Sequence, residues 1–408
     1  MARRRDHKRV LIYSHDSFGL GHLRRCRAIA HALVEADSAL SVLILSGSPI
    51  IGSFDFRSRV DFVRVPGVIK LRNGEYVSLN RHINIEETLR MRSSIIRHTA
   101  DIFDPDLFIV DKEPLGLRGE ARETLDLLRR RGVPLVLGLR DVLDDPDALE
   151  AEWERKGAAS ALGAYYDEIW VYGLKQICDP LAGIDLPRGV LPRIVYTGYL
   201  ERKAPAAVAA PEIPAIGEGE FLLVTPGGGG DGDALIDLVL AAYEFDRALP
   251  LPALLVFGPF MLPERRAAFA ARSARLERVR AITFEAHIET LLTRAAGVVA
   301  MGGYNTFCEI LSFDKKAVIV PRRTPRREQW IRARRAAELG LVRMLTEAEG
   351  RDPERMAAAL RLLPQQQPPS AVLIPGLLNG MERVKGLARR WLERRPARSL
   401  SLTPPLEA

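Results

Sequence analysis

Short apolar runs rich in Val, Ile and Leu recur along the chain, and between them the apolar positions repeat every three or four residues. The first pattern predicts strands and the second amphipathic helices. In the first half the strands fall near 9–14, 41–46, 61–65, 107–111, 134–139, 168–172 and 194–197, with helices near 21–36, 85–102, 119–131 and 146–163. The strand runs are continuously apolar, which suits strands buried on both faces of a parallel sheet. Strictly alternating strands and helices build such a sheet with helices on both sides.

Residues 201–219 interrupt this rhythm: nine of the nineteen are Ala or Pro, and no core-forming period runs through them, so they read as a linker. The alternation then restarts. Strands are predicted near 220–225, 253–257, 280–284, 297–301, 316–320 and 341–345, and helices near 233–248, 264–275, 287–295, 305–312, 328–339 and 353–362. A last amphipathic helix near 379–395 follows a Pro-rich break, and the tail 396–408 reads as disordered. The expected fold is α/β: two doubly wound, Rossmann-like domains, 1–200 and 220–375, facing a central cleft, with segment 376–395 packing back toward the first.

Composition narrows the classes. The 408 residues are 47% hydrophobic, which suits two cores of about 150–200 residues each. No apolar run reaches the ~18 residues of a membrane span. The basic N-terminus lacks the apolar segment of a signal peptide. Three scattered cysteines, Cys26, Cys178 and Cys308, fit a reducing cytoplasm and no zinc site. The net charge of +7 points toward phosphorylated small molecules, an anionic membrane surface or nucleic acid. Aromatics make up only 7% of the chain and nowhere interleave with the basic residues as a base-stacking platform, so no nucleic-acid partner is expected. Residues 321–335 hold seven arginines, which suit a diphosphate, an anionic lipid surface or a solvated helix face.

Ligands of doubly wound sheets bind beyond the carboxyl ends of the strands, so those loops carry the chemistry. The first is SHDSFGLGHLRRC, with Gly19-x-Gly21 followed by His22. A dinucleotide fingerprint needs a third glycine, and here Arg24 stands in its place; no acid ends the next strand either. NAD and FAD are therefore not expected. A helix start at His22 would favour anions and lower the imidazole pKa, leaving a neutral base or a simple cap of the turn. The second loop, TPGGGGDGD, places Gly227, Gly228, Gly229 and Gly230 after a strand, and Asp233-Ala234 in place of Lys-Ser/Thr excludes a Walker A loop. In the third, a strand ends in Gly302-Gly303 and a helix opens near Asn305 and Thr306, presenting free backbone N–H groups. Glu309 there would either complete a capping box with Thr306 or bind a diol. Pro321 and Glu328-Gln329 follow at the next strand end. Asp111 and Asp141 close two further strands and would orient His22, bind substrate hydroxyls or cap the following helices, and Arg140 could pair with a nearby carboxylate.

The third stretch resembles the nucleotide-sugar half of GT-B glycosyltransferases, nearest in kind to the peptidoglycan N-acetylglucosaminyltransferase type of glycosyltransferase family 28. Gly302-Gly303, Asn305-Thr306, Glu309, Pro321, Glu328-Gln329 and Leu339-Gly340 carry the match, and Gly19-x-Gly21-His22 matches that family's glycine loop. The resemblance implies a metal-independent, hexosyltransferase-type enzyme without cofactor. Its co-substrate would be a nucleotide sugar, most often UDP-linked, and it would serve cell-envelope or polysaccharide synthesis. It implies a diphosphate on the amides around Asn305 and Thr306 and beside Gly227 to Gly229. Glu309 would hold the ribose, backbone near Ile288 the base, and Glu328 and Gln329 the donor sugar. His22 would face the acceptor's nucleophile. The acceptor is a glycan, a lipid-linked or a small molecule, and the place of action the cytoplasm, with peripheral contact at the inner face of the membrane. The first loop also resembles the UDP-sugar hydrolase of pseudaminic acid synthesis, where water takes the acceptor's place. A nucleotide-binding protein without catalysis is the remaining reading.

Overall fold

The computed structural model describes residues 7–15, 20–70, 75–79, 82–204, 216, 220–228, 230–346 and 348–394. The first sheet begins with β1 (Lys8–Ser14), β2 (Leu40–Ser46) and β3 (Val60–Arg64). A small antiparallel hairpin follows, β4 (Val68–Lys70) and β5 (Tyr76–Ser78), which the periodicity does not predict because each strand is three residues long. The sheet then continues with β6 (Leu107–Asp111), β7 (Leu135–Arg140), β8 (Glu168–Tyr172) and β9 (Ile194–Tyr196). Its order is β3-β2-β1-β6-β7-β8-β9 and every pairing is parallel. Strands β6 and β8 are buried at every position, as the continuous apolar runs require.

The connecting helices are α1 (Gly21–Ala36), α2 (Ile85–Phe103), α3 (Arg122–Arg130), α4 (Pro146–Lys156) and α5 (Ala158–Tyr165). The single helix expected over 146–163 is thus two. Gly157 takes φ +61° between them, a left-handed angle that ends one helix and opens the next.

The second sheet holds β10 (Phe221–Thr225), β11 (Ala253–Val256), β12 (Val279–Ile282), β13 (Ala295–Ala300), β14 (Lys316–Ile319) and a two-residue β15 (Arg343–Met344). Its order, β12-β11-β10-β13-β14-β15, is again wholly parallel and is the doubly wound order of a dinucleotide-type fold. Its helices are α6 (Asp233–Phe245), α7 (Pro263–Ser273), α8 (Ile288–Arg294), α9 (Tyr304–Ser312), α10 (Glu328–Glu338) and α11 (Pro353–Leu362). The two Rossmann-like domains read from the sequence are both present. Most of the expected linker 201–219 and all of the tail 396–408 lie outside the described residues.

The last helix, α12 (Gly380–Arg394), returns to the first domain and packs on α1. Its buried face, Met381, Val384, Ala388 and Leu392, joins one apolar cluster with Ile29 and Leu33 of α1 and with Phe307 of α9. Glu168 anchors its other end: one carboxylate oxygen accepts from Trp170 Nε1 at 2.7 Å and Trp391 Nε1 at 2.9 Å, and the other from Arg390. Among the described residues no helix is long and apolar enough to cross a membrane.

The entry to α12 is sterically tight. Tyr199 N–H donates to Leu377 O at 2.7 Å and Gly380 N–H to Tyr199 O at 3.1 Å, so two backbones cross in contact. A Cβ on Gly380 would stand 2.4 Å from Gly198 O and 2.5 Å from Tyr199 O. Backbone cannot yield as a flexible side chain can. Gly380→Ala is expected to cost about 1–3 kcal/mol, the range of overpacked sites, and to lower the urea midpoint. An unchanged midpoint would show that the crossing is looser than this.

Candidate active site

Strand order reverses between β1 and β6 in the first sheet and between β10 and β13 in the second. At such switch points the crossovers leave to opposite faces and open a crevice past the strand ends. His15, the start of α1 at Gly21 and His22, Asp111, Pro226 to Gly228 and the 301–306 turn sit at these ends. A cleft of about 840 Å³ lies between the domains and is lined from both.

On the first domain the cleft floor carries a histidine–aspartate pair. His22 lies in the first turn of α1, and its Nδ1 donates to Asp111 Oδ2. Asp111 ends β6, is 2% exposed, and is also gripped by Arg25, Nε to Oδ1 at 2.8 Å and Nη2 to Oδ2 at 2.7 Å. The guanidinium and the imidazole hold this carboxyl well below the usual carboxylate range against its burial. An ionised carboxylate only accepts, so Nδ1 carries the imidazole proton and Nε2 keeps its lone pair. Arg25 Nη2, 3.1 Å from Nδ1, is therefore a neighbour of that nitrogen and not its donor. Burial pushes the His22 pKa below 6.5, outweighing the pull of Asp111, so the neutral form prevails at pH 7. His22 and Arg25 are one turn apart on one helix face, which lets both meet Asp111.

Asp141 sits elsewhere. It is fully buried, bound by Arg332 of α10 through Nε at 2.8 Å and Nη2 at 2.6 Å, and accepts from Tyr199 Oη at 2.9 Å. Its carboxylate joins the domains and does not line the cleft, so Asp111 is the carboxylate that orients His22. Arg332, not Arg140, is the partner of Asp141.

The second domain supplies the amide-rich wall. Gly302 takes φ +79°, and a Cβ there would meet Ile319 at 2.9 Å, so the turn needs glycine. Gly303 caps α9, which begins at Tyr304, and its first-turn amides of Tyr304, Asn305 and Thr306 lie at the cleft wall. No acid stands in that turn to neutralise it. The Asn305 side chain bridges the domains, donating to Gly21 O at 2.9 Å and accepting from Arg202 at 2.9 Å. Gly227, at φ +84°, and Gly228 line the same wall. Gly19 and Gly229 lie outside the described residues. At the far end stand Glu328 and Gln329, 4% and 7% exposed. Glu328 binds Arg322 at 2.9 Å through Oε1, while its buried Oε2 has no partner among the described residues.

A narrow pocket of about 20 Å³ extends from the cleft between Thr225, Gly227, Phe284, Glu285, Ile288, Thr306 and Glu309. Glu309 is not a capping residue. It lies in the second turn of α9, whose cap is Gly303, and it accepts from Arg24 of the first domain at 2.5 Å. Arg24 also reaches Glu289 at 3.0 Å. Burial and the nearby Glu289 raise the Glu309 pKa to about 7 in spite of Arg24. Leu20 and Phe54 of the first domain close the same pocket, Phe54 edge-on to Phe284 at 6.1 Å between centroids. Among the described residues no group of three or more His, Cys, Asp and Glu is placed to hold a metal ion.

Sequence reading singled out neither Arg24 and Arg25 as carboxylate partners nor His15. The three-residue helical spacing from a known His22 could have found Arg25; the reach of Arg24 across the domain gap has no local signal. His15 is 4% exposed and edge-on to His22 at 5.5 Å between ring centroids.

Residues 222–371 match the glycosyltransferase family 28 C-terminal domain. CalG4, the calicheamicin glycosyltransferase, is 15% identical with a TM-score of 0.60, over 95% of this chain and 99% of its own. UGT2 of Phytolacca americana, solved with UDP-2-fluoro-glucose and pterostilbene, is 14% identical with a TM-score of 0.60, over 94% of this chain and 95% of its own. MurG of Acinetobacter baumannii is 13% identical with a TM-score of 0.56, over 94% of this chain and 99% of its own. At such identities the likeness gives the fold, the two-domain GT-B arrangement. No curated protein matches the sequence.

Arg24→Ala would leave Glu289 and Glu309 buried together without their cation. Removing one partner of a buried pair costs about 3–5 kcal/mol. Burial and mutual repulsion would raise the folded-state carboxyl pKa above the unfolded value. The stability present below the unfolded pKa is then lost as pH rises through the folded one. The deficit against wild type, read from urea unfolding, is therefore expected to be larger at pH 8 than at pH 5. A pH-independent deficit would contradict the buried pair.

Proposed function

We propose that this chain, which carries a family 28 glycosyltransferase C-terminal domain on a GT-B fold, transfers a hexose from a UDP-sugar to an acceptor hydroxyl. The observation that carries the reading is the opposition, across one cleft, of a neutral His22 oriented by Asp111 and the open first turn of α9. A base on one wall and an anion cradle on the other suit displacement of a nucleoside diphosphate by a hydroxyl.

In this reading the base of the nucleotide lies beside Ile288 at the mouth of the narrow pocket, and Glu309 accepts from the ribose hydroxyls. The diphosphate rests on the amides of Tyr304, Asn305 and Thr306, with Gly227 and Gly228 close enough for backbone contact. The partial positive charge of the helix start offsets the charge that grows on the leaving diphosphate. The unpartnered Glu328 Oε2 and the Gln329 amide meet the sugar hydroxyls. The acceptor enters over His22, whose Nε2 takes the hydroxyl proton as the oxygen attacks the anomeric carbon. Asp111 holds the imidazole and stabilises the imidazolium that forms. The UDP-sugar analogue in the Phytolacca americana UGT2 complex supports a uridine donor.

His22→Ala should leave the dissociation constant for UDP, measured calorimetrically, within about two-fold and cut turnover by about 10²–10⁴. Glu309→Ala should weaken UDP binding by about ten-fold or more, the worth of a charged hydrogen bond. Because the His22 pKa lies below 6.5, kcat/KM should stay level at neutral pH and fall only below that value as the imidazole takes up a proton. Free UDP accumulating from a UDP-sugar without any acceptor, seen by phosphorus NMR at the rate of the full reaction, would replace transfer by hydrolysis. UDP binding unaffected by Glu309→Ala would refute the donor site.

A further inference from the structure

The charges lining the cleft are almost all matched. Its four carboxylates are taken by two arginines: Asp144 and Glu152 by Arg326, at 3.2 and 2.7 Å, and Asp231 and Glu328 by Arg322, at 2.7 and 2.9 Å. Arg24 and Arg25 hold Glu309 and Asp111, and Lys112 holds Glu113 at 3.1 Å. Arg155 lies at the rim, exposed to water. Arg140 is the exception. It ends β7 on the first domain, lines the cleft, and has no ion pair or hydrogen bond among the described residues, and its Nε is shielded from solvent. Asp141, its neighbour in sequence, is spent on Arg332.

A guanidinium has five N–H donors and cannot shed its charge. Half-buried at the cleft wall, with its Nε–H shielded and without a hydrogen-bond partner, this one suits a partner that arrives from outside. Two more donors line this cleft. Lys112 follows the neighbouring strand β6 and bonds to β7 through its N–H to Gly138 O at 2.8 Å. His15 follows β1 and is 4% exposed, with Nδ1 also unpartnered. Burial lowers the Arg140 pKa to about 10 and that of Lys112 to about 8, although Glu328 acts on the first and Glu113 on the second in the opposite direction.

We propose that Arg140, with Lys112 and His15, forms an oxyanion subsite that takes a phosphate or carboxylate group of a substrate, separate from the diphosphate cradle on α9. The inference rests on the nucleotide-sugar reading only for where the diphosphate lies. Arg140 suits a planar, bidentate contact with such a group. A neutral hydroxyl would leave its charge unmatched. The oxyanion belongs either to the acceptor or to the transferred sugar, as in a uronic acid, and the cleft serves both.

The test is a calorimetric titration of inorganic phosphate into the full-length protein saturated with UDP, at constant ionic strength. Wild type is expected to bind phosphate saturably. Arg140→Gln should weaken this ten-fold or more, Arg140→Lys should restore part of it, and UDP affinity should stay within two-fold in both. Thermal unfolding of both variants checks that they fold. Replacing UDP by UDP-glucuronate or UDP-glucose then identifies the source. Displacement of phosphate by UDP-glucuronate alone assigns the oxyanion to the donor sugar, and displacement by neither assigns it to the acceptor. Absent phosphate binding, binding indifferent to Arg140→Gln, or a matching loss of UDP affinity would overturn the subsite. If UDP itself fails to bind, the nucleotide reading falls, while phosphate titration of the free protein still reads Arg140.

Discussion

The carboxylate of Asp111 is the point on which the two halves of the molecule turn. It is bound by the imidazole of His22 and, through both oxygens, by Arg25. The guanidinium of Arg25 also lies over the ring of Tyr304, 5.5 Å from its centroid, and Arg332 lies 5.7 Å from the same centroid. Arg332 in turn grips Asp141 of the first domain. One chain of charge and ring contacts thus runs from His22, across the first residue of α9, and back to the first domain. Apart from half-buried His22, its members are shielded from water, where such contacts are strongest and where a missing partner costs most. The orientation of His22 is therefore tied to the position of α9.

The same seam holds the shape of the cleft. Arg326 and Arg327 of the second domain reach Asp144, Asp145 and Glu152 of the first, and Arg24 reaches the other way to Glu289 and Glu309. Much of the chain's arginine excess is thus spent between its own domains. A nucleotide whose ribose bound Glu309 would compete with Arg24 for that carboxylate. Binding a donor and releasing Arg24 would then be one event.

The fold was legible because both sheets are parallel and buried, so their strands stand out as unbroken apolar runs such as Val10–Tyr13 and Leu107–Val110. Helix breaks were harder. Gly157 splits a stretch whose polarity pattern is continuous, and the hairpin at residues 68–78 is too short for a period to register. The glycine turns and His22 were legible as local departures from a dinucleotide loop. Choosing between Asp111 and Asp141 was not. Asp111 ends β6 and Asp141 follows β7, and only the reach of Arg332 from the other domain decides which is spent. Glu309 fits a capping box in sequence, yet the helix begins at Tyr304 and carries it past the cap. The partners of Arg24 are 265 and 285 residues away, beyond any local pattern.

The central claim is that UDP lies on α9 opposite the His22–Asp111 pair. A crystal structure of the full-length protein grown with UDP tests it most directly. The account predicts the diphosphate on the amides of Tyr304 to Thr306, the uracil beside Ile288, and the ribose on Glu309 with Arg24 displaced. A nucleotide bound elsewhere, or one bound with the Arg24–Glu309 pair intact, would contradict it.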